Sequence, residues 1–304
     1  MTFSTPTAQI FRQNDPHAGY YLDLRSKAAD TGSPEAALAL LRRLTADRTK
    51  SNPVTVAQLG LAASQLGNAW RDVHAAASTW LVEEMDAKGH LPYLFAMPHT
   101  YRLEPPWVSA MAQGEAASLL IRSAKTFDEP EFRVKAVQAA APLLQPDSPV
   151  VSATAEGPIL EEYPTDPPAH VLNGWISALW GLYDVAADMR RQAGDGEPYE
   201  TAFRSGAACL VSRLPTYALS RHWSRYDVYP HRLVNIASPR YHRLHIEQLR
   251  AMAVLTSDVT FAQVAGDWSI GLENPFTRGL AVTRKIGFRL AGPRLSFRRR
   301  IERR

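Results

Sequence analysis

Stretches with helical apolar spacing come in pairs along this chain, and that pairing restricts the fold more than any other feature. Residues 53–66 and 69–85 form one pair, 107–125 and 130–144 a second, 168–190 and 199–214 a third, and 241–255 and 261–269 a fourth. A shorter helical run, 34–46, precedes them. Pro53, Pro130 and Pro168 stand at or near the first turns, where the missing amide hydrogen leaves no bond unmade and the fixed φ is already helical. Only 150–160 leans toward β structure. Helical hairpins repeating at roughly 55–70 residues either stack as a solenoid or close into a ring. The connections between pairs are rich in Trp, Tyr, His, Arg and Glu, as expected of loops that gather at one mouth. The expected fold is therefore all-α: an (α/α) toroid of about four helical hairpins, with a few short strands in the connecting loops. An ordinary helical bundle is the alternative. Residues 1–50 read as an N-terminal arm and helix, 51–275 as the toroid, and 276–304 as a basic tail.

Composition narrows the class further. The chain has 304 residues, 45% hydrophobic and 21% charged, enough to bury a sizeable core. No apolar run of about 18 residues is present, so no spanning helix is expected. The first residues lack the basic and apolar regions of a signal peptide, and Cys209 has no second cysteine to pair with. A cytoplasmic protein is the expectation. The net charge of +4 is unevenly placed: residues 284–304 carry nine Lys and Arg against Glu302, a net +8, which leaves the rest of the chain at −4. Phe288, Leu290, Leu295, Phe297 and Ile301 alternate with those cations, which fits either contact with an anionic membrane surface or a solvated terminus. No nucleic-acid motif accompanies the charge.

Polar residues recur on single faces of otherwise apolar helices. His170, Asn173 and Ser177 share one face; Ser109 and Gln113 share another; Tyr241, His245 and Gln248 a third. Such a stripe faces either solvent or a wet cavity. Three of them, each after an aromatic-rich loop, suit a sugar polymer, whose apolar ring faces stack on tryptophan and whose hydroxyls need fixed polar partners. Trp107, Trp175, Trp180 and Trp223 are candidates, although Trp175 and Trp180 read equally well as core. His242 and His245 fall at i, i+3 without an evident third ligand, so a zinc site is not expected.

Five segments carry a resemblance. Pro-Trp-Val-Ser-Ala-Met-Ala-Gln-Gly at 106–114, Glu-Glu-Tyr-Pro at 161–164 and His-Val-Leu-Asn-Gly-Trp-Ile-Ser-Ala-Leu-Trp-Gly-Leu-Tyr-Asp at 170–184 are three; Trp-Ser-Arg-Tyr-Asp at 223–227 and Tyr-His-Arg-Leu-His-Ile-Glu-Gln-Leu at 241–249 complete the set. In order and content they resemble the C-terminal catalytic domain of glucuronyl C5-epimerases, across about 50–270. The resemblance implies an (α/α) toroid that converts D-glucuronate to L-iduronate within a polysaccharide, with neither cofactor nor metal as reactant. It further implies Tyr226 and Tyr241 as the proton-transfer pair, and Glu162 and Tyr163 as the groups that hold the substrate carboxylate. Tyr21 resembles an N-terminal aromatic of the family's cleft. Trp107, Gln113, Asn173 and His245 are the expected sugar contacts.

Three departures stand out. The β-rich domains that precede the helical one in the animal enzymes have almost no counterpart here, so a second subunit is expected to complete the cleft. Asn52 stands where the family places a tyrosine before the proline. After Tyr226 the family pattern Asp-Leu-Arg is replaced by Asp227-Val228-Tyr229, which removes an expected carboxylate-binding arginine. Arg225 and Arg232 are the candidates to replace it.

The chemistry explains the residue types. Inverting C5 removes a weakly acidic proton from one face of a sugar that is already an anion and returns one to the other face. A neutral acid or cation must absorb the added charge. Glu162 serves if burial beside Glu161 raises its pKa. Tyrosine ionises near pH 10, so Arg225 and Arg240, each preceding one of the tyrosines, are expected to favour the phenolate. Without the resemblance, both phenols would read as buried groups bonded to backbone. Two rival functions remain: a polysaccharide lyase that eliminates the 4-linked sugar after the same first step, and a non-catalytic glycan-binding protein.

Overall fold

The computed structural model describes residues 19–98 and 100–291. The expected arm over 1–18 and the tail beyond 291 lie outside these residues. The helices are α1 (Ser26–Ala29), α2 (Pro34–Thr45), α3 (Pro53–Leu66), α4 (Arg71–Glu84), α5 (Ala110–Phe127), α6 (Pro130–Ala140), α7 (Leu172–Arg191), α8 (Glu197–Tyr217), α9 (Pro239–Thr256), α10 (Val259–Glu273) and α11 (Pro275–Ala291). Two antiparallel ribbons interrupt them, β1 (Val151–Thr154) with β2 (Gly157–Leu160) and β3 (Ala218–Ser220) with β4 (Trp223–Ser224). The protein is all-α with short strands in its connections.

Helices α3 and α4, α5 and α6, α7 and α8, and α9 and α10 pack as the four expected hairpins, and the first helices of successive pairs touch: α3 on α5, α5 on α7, α7 on α9. The α5–α7 crossing is the tightest. A Cβ at Gly114 would stand 2.5 Å from Ala178 Cα, and one at Gly181 2.4 Å from Gly114 Cα, so only glycine lets the two backbones meet. Trp175 and Trp180, both fully buried, fill the core along α7. Burying such side chains stabilises the fold by roughly 1.5–3 kcal/mol each.

Local chemistry sets the helix starts. Ser33, Asn52, Ser238 and Asp258 accept backbone N–H bonds at the N-termini of α2, α3, α9 and α10. Asn52 also accepts the Tyr93 hydroxyl at 3.3 Å, a use for the asparagine that replaces the family's tyrosine. Two starts differ from the periodicity. Trp107 pairs with Tyr93 in a β-bridge, which delays α5 to Ala110. His170 adopts φ +48° and bonds Glu161 through its N–H (2.8 Å) and Nδ1 (2.5 Å), so α7 begins only at Leu172. His170 is thus not on the helical face of Asn173 and Ser177. The largest difference is α11: residues expected as tail form a helix that packs on α9 and α10. No helix among the described residues is long and apolar enough to cross a membrane.

Candidate active site

Tyr226 follows β4 on an extended segment that runs antiparallel to 235–237. Its N–H donates to Asn235 O (2.7 Å), and its carbonyl accepts the N–H of Leu172, the first residue of α7 (3.3 Å). Tyr241 lies in the first turn of α9, where the Ser238 side chain accepts its N–H at 3.4 Å. These two unrelated pieces of backbone chemistry bring the phenols together: the rings meet edge to face with centroids 4.8 Å apart. Tyr226 is half-buried and Tyr241 is 37% exposed.

Both rings line a cleft of about 420 Å³, together with Tyr101, Tyr163, Arg232 and Lys285. Its back wall is aromatic. Tyr163 stacks on Tyr101 at 4.5 Å, and Trp107 lies behind Tyr163, stacked on Tyr93 at 3.9 Å with its Nε1 donating to Phe95 O. Trp107 therefore supports the wall and is buried, not a sugar-facing platform.

Glu162 is buried beneath Tyr163. The Asn173 amide donates to its Oε2 at 3.1 Å, and a Cβ at Gly174 would lie 2.4 Å from that same oxygen, so the glycine makes room for the carboxyl. Burial pushes Glu162 up to about 7, despite opposing hydrogen bonds from Tyr163 and Asn173. The raised pKa expected of Glu162 is present, but Glu161 is not its cause: that carboxylate is turned toward His170, and desolvation dominates at Glu162. Asn173 is a positioning group for the acid.

Burial, and then the nearby Glu162, raise both phenols, Tyr226 the further of the two. On Tyr241, Arg240, a hydrogen bond with Tyr226 and Arg289 pull the other way without overcoming burial. The expected help from Arg225 is not there. Its Nε is buried without a partner among the described residues, and its side chain does not line the cleft. Of the two replacement arginines, Arg232 lines the cleft.

Four other sequence candidates hold structure instead. Gln113 accepts Leu91 N–H (2.8 Å) and donates to Gly89 O (2.6 Å) and Ala139 O (2.7 Å), tying the loop after α4 to α6. His245 is fully buried; its Nδ1 and that of His242 share the Ser224 hydroxyl, at 2.9 and 2.8 Å. Trp223 stacks on His242 at 4.0 Å and is equally buried. Tyr21 stacks on Trp180 at 4.7 Å and donates to Asp184 (2.7 Å), which is also paired with Arg122 at 2.6 Å; this phenol belongs to the core, away from the cleft lining.

Several residues in and behind the cleft wall are not among the sequence candidates. Asp227, fully buried beside Tyr226, accepts from the Tyr101 hydroxyl (2.5 Å), the Asn235 amide (2.5 Å) and His231 Nε2 (3.1 Å). It clamps the 227–235 loop and the connector before α5 into one wall. Lys285 and Arg289 enter from α11. The juxtaposition offers two phenols and cations around one cavity, with a carboxyl of raised pKa buried behind Tyr163, a set suited to moving a proton on and off carbon next to a carboxylate.

A family model described as D-glucuronyl C5-epimerase C-terminus matches residues 85–270. The chain is 31% identical over 210 residues to a protein of Caenorhabditis elegans named D-glucuronyl C5-epimerase, in an alignment that covers 64% of this chain and 34% of the relative. The match thus takes in about a third of that relative's length.

Proposed function

Starting from a chain that belongs to the D-glucuronyl C5-epimerase family over residues 85–270, we propose that this protein is a hexuronate C5-epimerase of the D-glucuronate to L-iduronate type. Its substrate is an acidic polysaccharide or lipid-linked glycan, bound at one end of an open toroid of helical hairpins. The observation that carries the reading is the contact of Tyr226 with Tyr241 in a cleft lined by Tyr163, with Glu162 buried behind Tyr163 and hydrogen-bonded to it.

Tyr241 is the phenol that ionises more readily, because Arg240, Arg289 and the hydrogen bond with Tyr226 all favour its phenolate. It takes the C5 proton of glucuronate. The electron pair of the C–H bond passes into the carboxylate as an enolate, and the neutral Glu162–Tyr163 pair opposes the added charge. Tyr226, held protonated by burial, delivers its proton to the opposite face of C5, and the enolate collapses back to a carboxylate. No electrons are gained or lost. Once product leaves, the touching phenols pass a proton from Tyr241 to Tyr226 and the site is reset; in the reverse direction the roles exchange.

Two transfers of about 3 Å each, on opposite faces, need phenol oxygens roughly 6 Å apart. The rings touch in the free protein, so the sugar must part them, and the more exposed Tyr241 is the one that moves. The direct test is incubation with a heparosan-like glucuronan in deuterated water. The proposal expects deuterium at C5 by NMR without growth of the ultraviolet absorbance of an unsaturated uronate. Growth of that band, or binding without exchange, contradicts it.

The face of α11 turned away from the cleft carries exposed Phe276, Leu280, Ile286 and Leu290 beside Arg284. We propose that this face rests on an anionic membrane surface, where apolar burial and cationic attraction add.

A further inference from the structure

The cleft has a cationic wall that the matched family segment does not contain. Helix α11 begins at Pro275, past the residue 270 at which the family match ends, yet it sends two cations into the cavity one turn apart, Lys285 and Arg289, with Phe288 between them. Among the described residues neither makes an ion pair with a carboxylate. Lys285 is aimed. Its Nζ lies 5.3 Å from the centre of the Tyr226 ring and 5.2 Å from that of Phe288, and it donates to Asn235 Oδ1 at 2.6 Å. The Asn235 amide is in turn fixed by the fully buried Asp227. Burial lowers the Lys285 ammonium to about 8, so it is still charged at neutral pH while lacking much of its water. The Asp227 carboxylate behind Asn235 offsets part of that charge and Arg289 opposes it, but the ammonium's one direct hydrogen bond is to a neutral amide, which leaves it capacity for an anion from the open cavity.

The same corner is where the sequence lacks its expected arginine. Tyr229 packs edge to face on Tyr101 and against His231, and His231 meets Phe288 at 5.0 Å. Helix α11 is thereby docked on the loop that would have carried the arginine.

We propose that Lys285 and Arg289 form an anion subsite, in which Lys285 holds the carboxylate of the hexuronate facing Tyr226 and Tyr241 while Arg289 holds a second acidic group of the same glycan. This deepens the epimerase reading and rests on it for the identity of the sugar. An ammonium about 3 Å from the carboxylate oxygens places C5 within reach of the Tyr226 hydroxyl. It also places positive charge where the enolate forms. Arg232, exposed on the loop, is the weaker third contact.

The test uses the full chain with two probes: a heparosan-like oligosaccharide, and the same oligosaccharide with its glucuronates reduced to glucose. Calorimetric binding should favour the acidic probe, and Lys285→Met should weaken that probe by roughly thirtyfold, the loss expected for removing one partner of a desolvated charge pair, while leaving the reduced probe unchanged. Lys285→Arg should restore most of the preference, and Arg289→Met should raise KM more than it lowers kcat. Unchanged melting temperatures keep these effects separate from folding. An acidic-probe preference that survives Lys285→Met and Arg289→Met, or equal binding of the two probes by the wild type, overturns the subsite. A preference that disappears in the variants supports it, even if the wild type proves unable to exchange the C5 proton; that second result would overturn the epimerase reading alone.

Discussion

The side-chain amide of Asn173 donates to Glu162 Oε2 at 3.1 Å, and the next residue, Gly174, leaves open the space the carboxyl fills. One turn of α7 thus decides whether the acid sits under the two phenols. Gly174→Ala would set a Cβ 2.4 Å from both Glu162 Cβ and Oε2, so the carboxyl must move. We expect a destabilisation of about 1–3 kcal/mol from overpacking, and a fall in C5 exchange of at least tenfold. Thermal melts and NMR exchange rates check the two parts separately.

The pH dependence of stability carries a definite sign. Glu162 is raised to about 7 and the buried Glu115 to about 8, both by desolvation. A carboxyl whose folded pKa is raised stabilises the fold fully below its unfolded value, and that contribution is lost as pH climbs through the folded one. Glu162→Gln stays neutral throughout. Its melting temperature relative to wild type should therefore rise as pH climbs from about 4.5 through about 7 and level off above, as differential scanning at several pH values will show. A constant difference would mean Glu162 is ionised in the folded protein.

Tyr21 supplies a control. Its hydroxyl donates to Asp184 in the core rather than to the cleft. Tyr21→Phe should lower stability by about 1 kcal/mol, or somewhat more because a buried acceptor loses a donor, with C5 exchange within about twofold of wild type.

Contact of α11 with lipid predicts sedimentation of the full chain with phosphatidylglycerol vesicles and not with phosphatidylcholine vesicles. Phe276→Ser with Leu290→Ser should weaken it, because these side chains are 81% and 62% exposed and contribute little to the core. Self-association of the full chain, lost in the same variant and seen without vesicles, would assign the face to a second copy instead.

Much of this was legible in the residues. Apolar spacing and proline placement give the hairpins, because 3.6-residue periodicity and capping are local. Tyr226, Tyr241, Glu162 and Tyr163 come from the resemblance, and they meet in one place. The polar stripes misled for a physical reason: Gln113 and His245 sit on buried faces, where a polar side chain bonded to backbone or hydroxyl looks the same in sequence as one facing a cavity. Trp107 and Trp223 have the sequence setting of sugar platforms, but both spend their faces stacking on protein rings. Lys285 and Arg289 were hidden by composition. In a segment of net +8, nothing distinguishes the two cations that point inward from those that do not until the helix packs.

The central claim is that two touching phenols exchange protons with one sugar carbon. Its sharpest test is the rate of solvent deuterium incorporation at C5 of a heparosan-like glucuronan by Tyr226→Phe and by Tyr241→Phe. The account predicts that each variant, folded and still binding the polymer, loses at least about a hundredfold in exchange, the usual scale of a lost general acid or base. Near-normal exchange in either one would contradict it.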